Sequence, residues 1–152
     1  MNRKLPFVRS ASLYWWADKI LINPYGRSRD GIGVGMANLA VASPNNLIEI
    51  GQKALQMLEL CKDNIPDDAS ALAPSVSVML AETKQKSWRK FVQNSYLVDI
   101  LVENKSGRGR ISPWRRVGSG YEPMEEKIRF CDLSPESIGT TAMLAFSDAR
   151  TN

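Results

Sequence analysis

The chain has 152 residues, 43% of them apolar, and carries 20 Lys and Arg against 16 Asp and Glu for a formal net charge of +4. That composition can bury one real core, so a single domain over residues 1–152 is predicted, and no run approaches the ~20 apolar residues that span a bilayer. Histidine is absent, which removes the usual general base, the commonest zinc ligand and every Ser-His or Cys-His nucleophile pairing.

The opening Met1-Asn-Arg-Lys-Leu-Pro leads into mixed sequence rather than a secretory apolar core, so a soluble, cytoplasmic protein is expected. Residues 12–17 and 19–23 are short apolar and aromatic runs that read as a strand or hairpin. Asn23-Pro24-Tyr25-Gly26 then carries a turn signal. The stretch Gly31-Ile-Gly-Val-Gly35 lacks the Lys-Ser/Thr of a phosphate-binding loop and the spacing of the dinucleotide fingerprint, so its glycines are assigned to a bulge or tight turn. Residues 36–42 predict a strand.

Ser43 is positioned to cap the first helix, with Pro44 in its first turn. Leu47, Ile50, Gly51, Ala54, Leu58 and Cys61 fall on one stripe of that helix, the pattern of a helix lying on a sheet. Residues 63–74, with Pro66, Asp67-Asp68 and Pro74, predict a polar surface connection. Helices are predicted over 75–82 and 87–94, the second burying Trp88, Phe91 and Val92. Residues 96–103 alternate: Tyr96, Val98, Ile100 and Val102 make one face, while Asp99 and Glu103 lie on the other among two leucines. Residues 104–109 form the turn of a hairpin that returns from Arg110, and Pro113 in that return argues for an edge strand or an early break. A last strand is expected over 124–131. Ser134-Pro135-Glu136 starts a final helix that buries Ile138, Ala142, Ala145, Phe146 and Ala149. The fold class is therefore α+β, a mainly antiparallel sheet with packed helices.

A repeat runs through this pattern. Gly31-Ile-Gly33-Val faces Gly118-Ser-Gly120-Tyr, Leu39-Ala-Val41 faces Ile128-Arg-Phe130, and Ser43-Pro44 faces Ser134-Pro135. Likewise Ile50-Gly51-x-x-Ala54-Leu55 faces Ile138-Gly139-x-x-Ala142-Met143. Either a strand-strand-helix unit has been duplicated or ordinary Ser-Pro capping has recurred. Glycine inside a helix costs roughly 1 kcal/mol against alanine, so its recurrence at 51 and 139 predicts a close helix-to-sheet approach in both copies.

Candidates for chemistry are few. Asp30, Glu125 and Glu126 are the carboxylates to weigh, but adjacent residues of a strand point to opposite faces, so Glu125-Glu126 makes a poor acid and base pair. Cys61 and Cys131 show neither disulfide nor metal spacing and read as buried thiols. No metal, no cofactor and no enzymatic activity are predicted. Basic residues gather late, at Lys105, Arg108, Arg110, Arg115 and Arg116 with Trp114 among them. Such a group could meet phosphates and stack bases, so a nucleic-acid-binding or regulatory interaction module is the competing function. The modest charge excess and the absence of a nucleic-acid motif favour a protein-partner surface.

Lys86-Ser-Trp88-Arg-Lys-Phe91, Gly120-Tyr-Glu-Pro-Met-Glu-Glu-Lys127 and Ser134-Pro-Glu-Ser-Ile-Gly139, in that order with strand patterns between, resemble the immunity proteins of bacterial contact-dependent growth inhibition systems (the CdiI family). Ser28-Arg-Asp-Gly-Ile-Gly-Val-Gly35 and Ile50-Gly-Gln-Lys-Ala-Leu55 are similar to the first half of the same family. The resemblance implies a non-catalytic cytoplasmic antidote. Its partner would be the C-terminal domain of a toxin delivered by a sibling cell, often a nuclease; one member of the family accepts a toxin β-hairpin onto its own sheet. Arginine and tryptophan are the residue types that most often anchor interfaces. The predicted partner contacts are accordingly Arg108, Arg110, Trp114 and Arg115, with Arg29 and Asp30 beside the Gly31–Gly35 loop as the second choice.

Overall fold

The alternating pattern near the N-terminus folds into a hairpin of β1 (Ser10–Trp16) and β2 (Lys19–Arg27), turned at Ala17-Asp18 with Ala17 at φ 52°. The computed structural model describes residues 5–66 and 74–151. Asn23-Pro24-Tyr25-Gly26 does not end this hairpin as predicted; it continues β2. The Pro24 carbonyl accepts from Met36 N at 3.0 Å on the outer edge of β2, so the missing proline N–H faces the same side. That edge is divided there between two short strands, and no ladder bond is lost. β3 (Gly33–Gly35) pairs with Tyr25–Arg27, and β4 (Ala40–Ala42) with Ile20–Ile22. The single strand predicted over 36–42 is thus only its last three residues.

Asn23 bridges the gap between β3 and β4. Its buried side-chain amide donates to Met36 O at 2.5 Å and Asn38 O at 2.9 Å. Asn23→Ala leaves both carbonyls short of a donor, at a cost of about 2 kcal/mol. The expected result is a lower urea midpoint at an unchanged m-value.

The second half of the chain repeats the path. β5 (Ser95–Val102) and β6 (Gly109–Val117) form a hairpin, and the outer edge of β6 is divided between β7 (Gly120–Pro123) and β8 (Arg129–Cys131). Pro113 occupies the place of Pro24: its carbonyl accepts from Met124 N at 2.9 Å, between the two short strands. β6 is therefore not the edge strand that Pro113 suggested. The sheet runs β3-β2-β1-β5-β6-β7, with β4 also on β2 and β8 also on β6, and the halves join where β1 and β5 pair antiparallel, Leu13 opposite Val98. Each half supplies four strands and then a helix. The strand predicted over 124–131 is replaced by a 3₁₀ turn at Glu125–Lys127 followed by β8, so Glu125 and Glu126 are exposed turn residues rather than neighbours in a strand.

α1 (Leu47–Glu59) and α4 (Pro135–Arg150) lie on one face, over Leu13, Ile20, Ile22, Val98, Ile100 and Ile111. Ser134 caps α4 as expected, accepting from Ser137 N at 3.3 Å. In the first copy the cap is Asn46, accepting from Glu49 N at 3.0 Å, because three extra residues between Pro44 and Ile50 shift the helix start. The repeated glycines mark a helix-to-helix approach, not the helix-to-sheet approach predicted. A β-carbon on Gly51 would run into the backbone of Pro135 in the first turn of α4, and one on Gly139 into the backbone of Leu47 in the first turn of α1.

α2 (Pro74–Thr83) and α3 (Trp88–Gln93) cover part of the opposite face, where Met79 and Phe91 pack on Tyr14, Leu21 and Leu97. Of the predicted acidic connection, Asp63 forms a two-bond ion pair with Arg27 at 2.8 and 2.7 Å. Asp67 and Asp68 lie outside the described residues.

Candidate functional site

The face bearing α2 and α3 is not fully covered. Period-2 alternation and the strand register bring Asn23, Ser12, Asp99 and Ser112 side by side on β2, β1, β5 and β6, a polar row across the middle of the sheet. Beside it opens a cleft of about 480 Å³ whose lining includes Ser12, Tyr14, Tyr25, Trp88, Asp99, Trp114 and Tyr121. The aromatic wall is held from behind. Tyr14 meets Trp88, Phe91 and Tyr121 at centroid distances of 5.9, 5.2 and 6.1 Å, and the Tyr121 hydroxyl shares a 2.6 Å hydrogen bond with Ser95 Oγ. Such contacts fix ring orientation and are worth about 1 kcal/mol each beyond burial.

Asp99 is the carboxylate of this cleft. Burial pushes its pKa from the ordinary 3.8 up to about 6, an effect that Trp114, Arg110 and Ser112 nearby offset only in part. It makes no ion pair among the described residues; the indole N–H of Trp114 and the Ser112 donors face its carboxylate, but loosely enough that Oδ1 and the Trp114 Nε1 each fall short of a full hydrogen bond. Burial also raises the Tyr14 and Tyr121 hydroxyls, which stay protonated and neutral at neutral pH. It likewise raises the Cys61 and Cys131 thiols, so both sulfurs are poor nucleophiles. Among the described residues no three or more His, Cys, Asp or Glu gather as a metal site would require.

The basic group predicted from sequence is dispersed by the fold. Arg110 and Trp114 share the cleft face, with Arg110 close enough to act on Asp99. Arg108 stands exposed at the hairpin end, its guanidinium 4.9 Å above the Phe130 ring and 3.9 Å from Glu103. Arg115 turns away and pairs with Glu126 at 2.9 Å and Glu122 at 3.5 Å. Arg29 and Asp30 are exposed between β2 and β3, and Asp30 lines a second groove of about 480 Å³ with Leu5 and Phe7. Ser10 and Tyr25 line both depressions, so the groove at Asp30 adjoins the cleft at Trp114.

Asp99 and Tyr25 were missed by sequence reasoning, the first read only as a polar strand position and the second assigned to a turn. A signal was present. Ser12-x-Tyr14 and Ser112-x-Trp114 each place a polar and an aromatic residue on the face opposite the apolar one, and Asp99 sits at the centre of a strand that is apolar on both sides.

No protein-family model matches the chain, and no curated protein matches it. Solved structures share its fold, two of them as follows. One is a protein of unknown function from Neisseria meningitidis, 20% identical, with a TM-score of 0.76 over 99% of this chain and 100% of that one. The other is a chain of the CdiA-CT/CdiI toxin and immunity complex from Yersinia pseudotuberculosis, 16% identical, with a TM-score of 0.73 over 93% of this chain and 97% of that one.

Proposed function

We propose that this chain is an immunity protein that binds the C-terminal toxin domain of a contact-dependent growth inhibition system in the cytoplasm and blocks it, the toxin being of the nuclease class. The observation that carries the reading is the fold shared, over nearly the whole of both chains, with a chain of a toxin and immunity complex. The order of motifs along the sequence supports the same reading.

The contact proposed lies around β6, through Arg110 and Trp114 on the cleft face, Arg108 at the hairpin end and Arg115 on the other face, with Arg29 and Asp30 as the second choice. The outer edges of β7 and β8 next to it pair with no strand among the described residues, and an incoming segment could add to them.

Two measurements test the proposal. Co-expression and calorimetry with candidate toxin domains should find one cognate partner, bound one-to-one with a nanomolar dissociation constant, about −12 kcal/mol. The purified protein should show no hydrolase or nuclease turnover. Tight binding to nucleic acid with a steep salt slope and no protein partner would overturn the reading. So would turnover that survives repurification and is lost on substituting Asp30 or Glu125. Replacing Arg108, Arg110, Trp114 and Arg115 together should weaken neutralisation while circular dichroism stays unchanged.

A further inference from the structure

The cleft over the central strands combines two features that a solvated surface lacks. Five aromatic side chains, Tyr14, Tyr25, Trp88, Trp114 and Tyr121, converge on it. Among them stands a carboxylate, Asp99, with no ion pair among the described residues and with one buried oxygen that the facing donors of Trp114 and Ser112 leave short of a full hydrogen bond. A charge withdrawn from water is costly unless an opposite charge meets it. Here Arg110 is near but makes no ion pair with the carboxylate. The faces of aromatic rings carry negative potential, so rings and carboxylate present the same sign to whatever enters. The complement to that field is a cation with apolar edges.

We propose that this cleft is a binding site for an organic cation, a guanidinium or alkylammonium group, held by Asp99 Oδ1 and by the faces of the surrounding rings. A guanidinium fits best: it is planar, stacks on Trp or Tyr, and delivers several N–H groups to a carboxylate. The source is either a basic side chain of the bound toxin, which would rest on the function proposed above, or a free small molecule, which would not.

The test uses the full chain by itself first. N-acetyl-arginine methylamide is titrated against it, followed by the fluorescence of the tryptophans and by amide NMR shifts, with the corresponding citrulline derivative as the neutral isostere. A low-millimolar dissociation constant is expected for the arginine compound, with binding at least 10-fold weaker for citrulline. Asp99→Asn should lose at least 10-fold in affinity for the arginine compound, while Asp18→Asn, in the exposed turn between β1 and β2, should not change it. Equal binding of the two compounds, equal binding by wild type and Asp99→Asn, or no response at ~50 mM overturns the proposal. A cognate toxin then separates the sources. A parallel loss of toxin affinity in Asp99→Asn assigns the cation to the toxin, and an unchanged toxin affinity assigns it to a small molecule. Because the first titration needs no toxin, failure of the immunity reading leaves the cleft proposal standing or falling on its own result.

Discussion

Gly51→Ala and Gly139→Ala are each expected to destabilise the protein by about 3 kcal/mol, lowering the melting temperature by about 10 °C. In an isolated helix the same change would stabilise by up to ~1 kcal/mol. The sign reverses here because the added carbon meets backbone, Pro135 for Gly51 and Leu47 for Gly139, which has no rotamer by which to yield. The helices can only separate, and in doing so they lose packing around Ile50, Ala54, Ile138 and Ala142, all fully buried. Gly33 is the control: a β-carbon there meets nothing, and Gly33→Ala should melt near wild type. Wild-type melting of Gly51→Ala would mean that the two helices are not held at this distance.

Asp99→Asn should act in the opposite direction, raising stability at pH 7 by up to about 3 kcal/mol. Burial holds the folded-state pKa at about 6, above the ordinary 3.8. Between those two values the folded state binds more protons than the unfolded state, so stability falls as pH rises from about 4 to about 6 and remains lower above that range. A neutral amide has no such dependence. Denaturant titrations at pH 4, 5, 6 and 7 should show the difference between variant and wild type opening across that window and then levelling. A difference that is constant with pH would remove Asp99 as its origin. A residue that lowers stability at working pH, at the floor of an aromatic cleft, fits a group retained for binding.

Periodicity made much of the architecture legible. The first hairpin, β5, all four helices and the buried stripe of α4 follow from apolar spacing, and Ser134-Pro135 marked its helix start correctly. Local signals failed where tertiary context supplied what they lacked. Asn23-Pro24-Tyr25-Gly26 has the residues of a turn, yet Pro24 is accepted inside β2 because the outer edge has a gap at that point. Pro113 repeats the lesson in β6. Glu125 and Glu126 were placed in a strand by the apolar residues around them, although Met124 is held by the Pro113 carbonyl and starts a tight turn instead. The site was less legible than the fold. Sequence proximity gathered Arg108, Arg110, Trp114 and Arg115, but alternation along β6 separates Arg115 from Trp114. Asp99 and Tyr25 join that cleft only through register across four strands, which no single stretch of sequence displays.

The matching halves have a topological consequence. Two contacts across the seam have the form of a two-fold, isologous interface: β1 lies antiparallel to β5, and each of Gly51 and Gly139 meets the first turn of the other half's helix. The chain has the geometry of a symmetric dimer fused end to end. Two chains that opened along this seam could therefore exchange halves and rebuild the β1–β5 pairing and the glycine crossing, which is the geometric condition for domain swapping. The glycine crossing and the seven paired positions of β1 and β5 form in either arrangement, so what favours closure within one molecule is the high effective concentration of two halves joined by one chain.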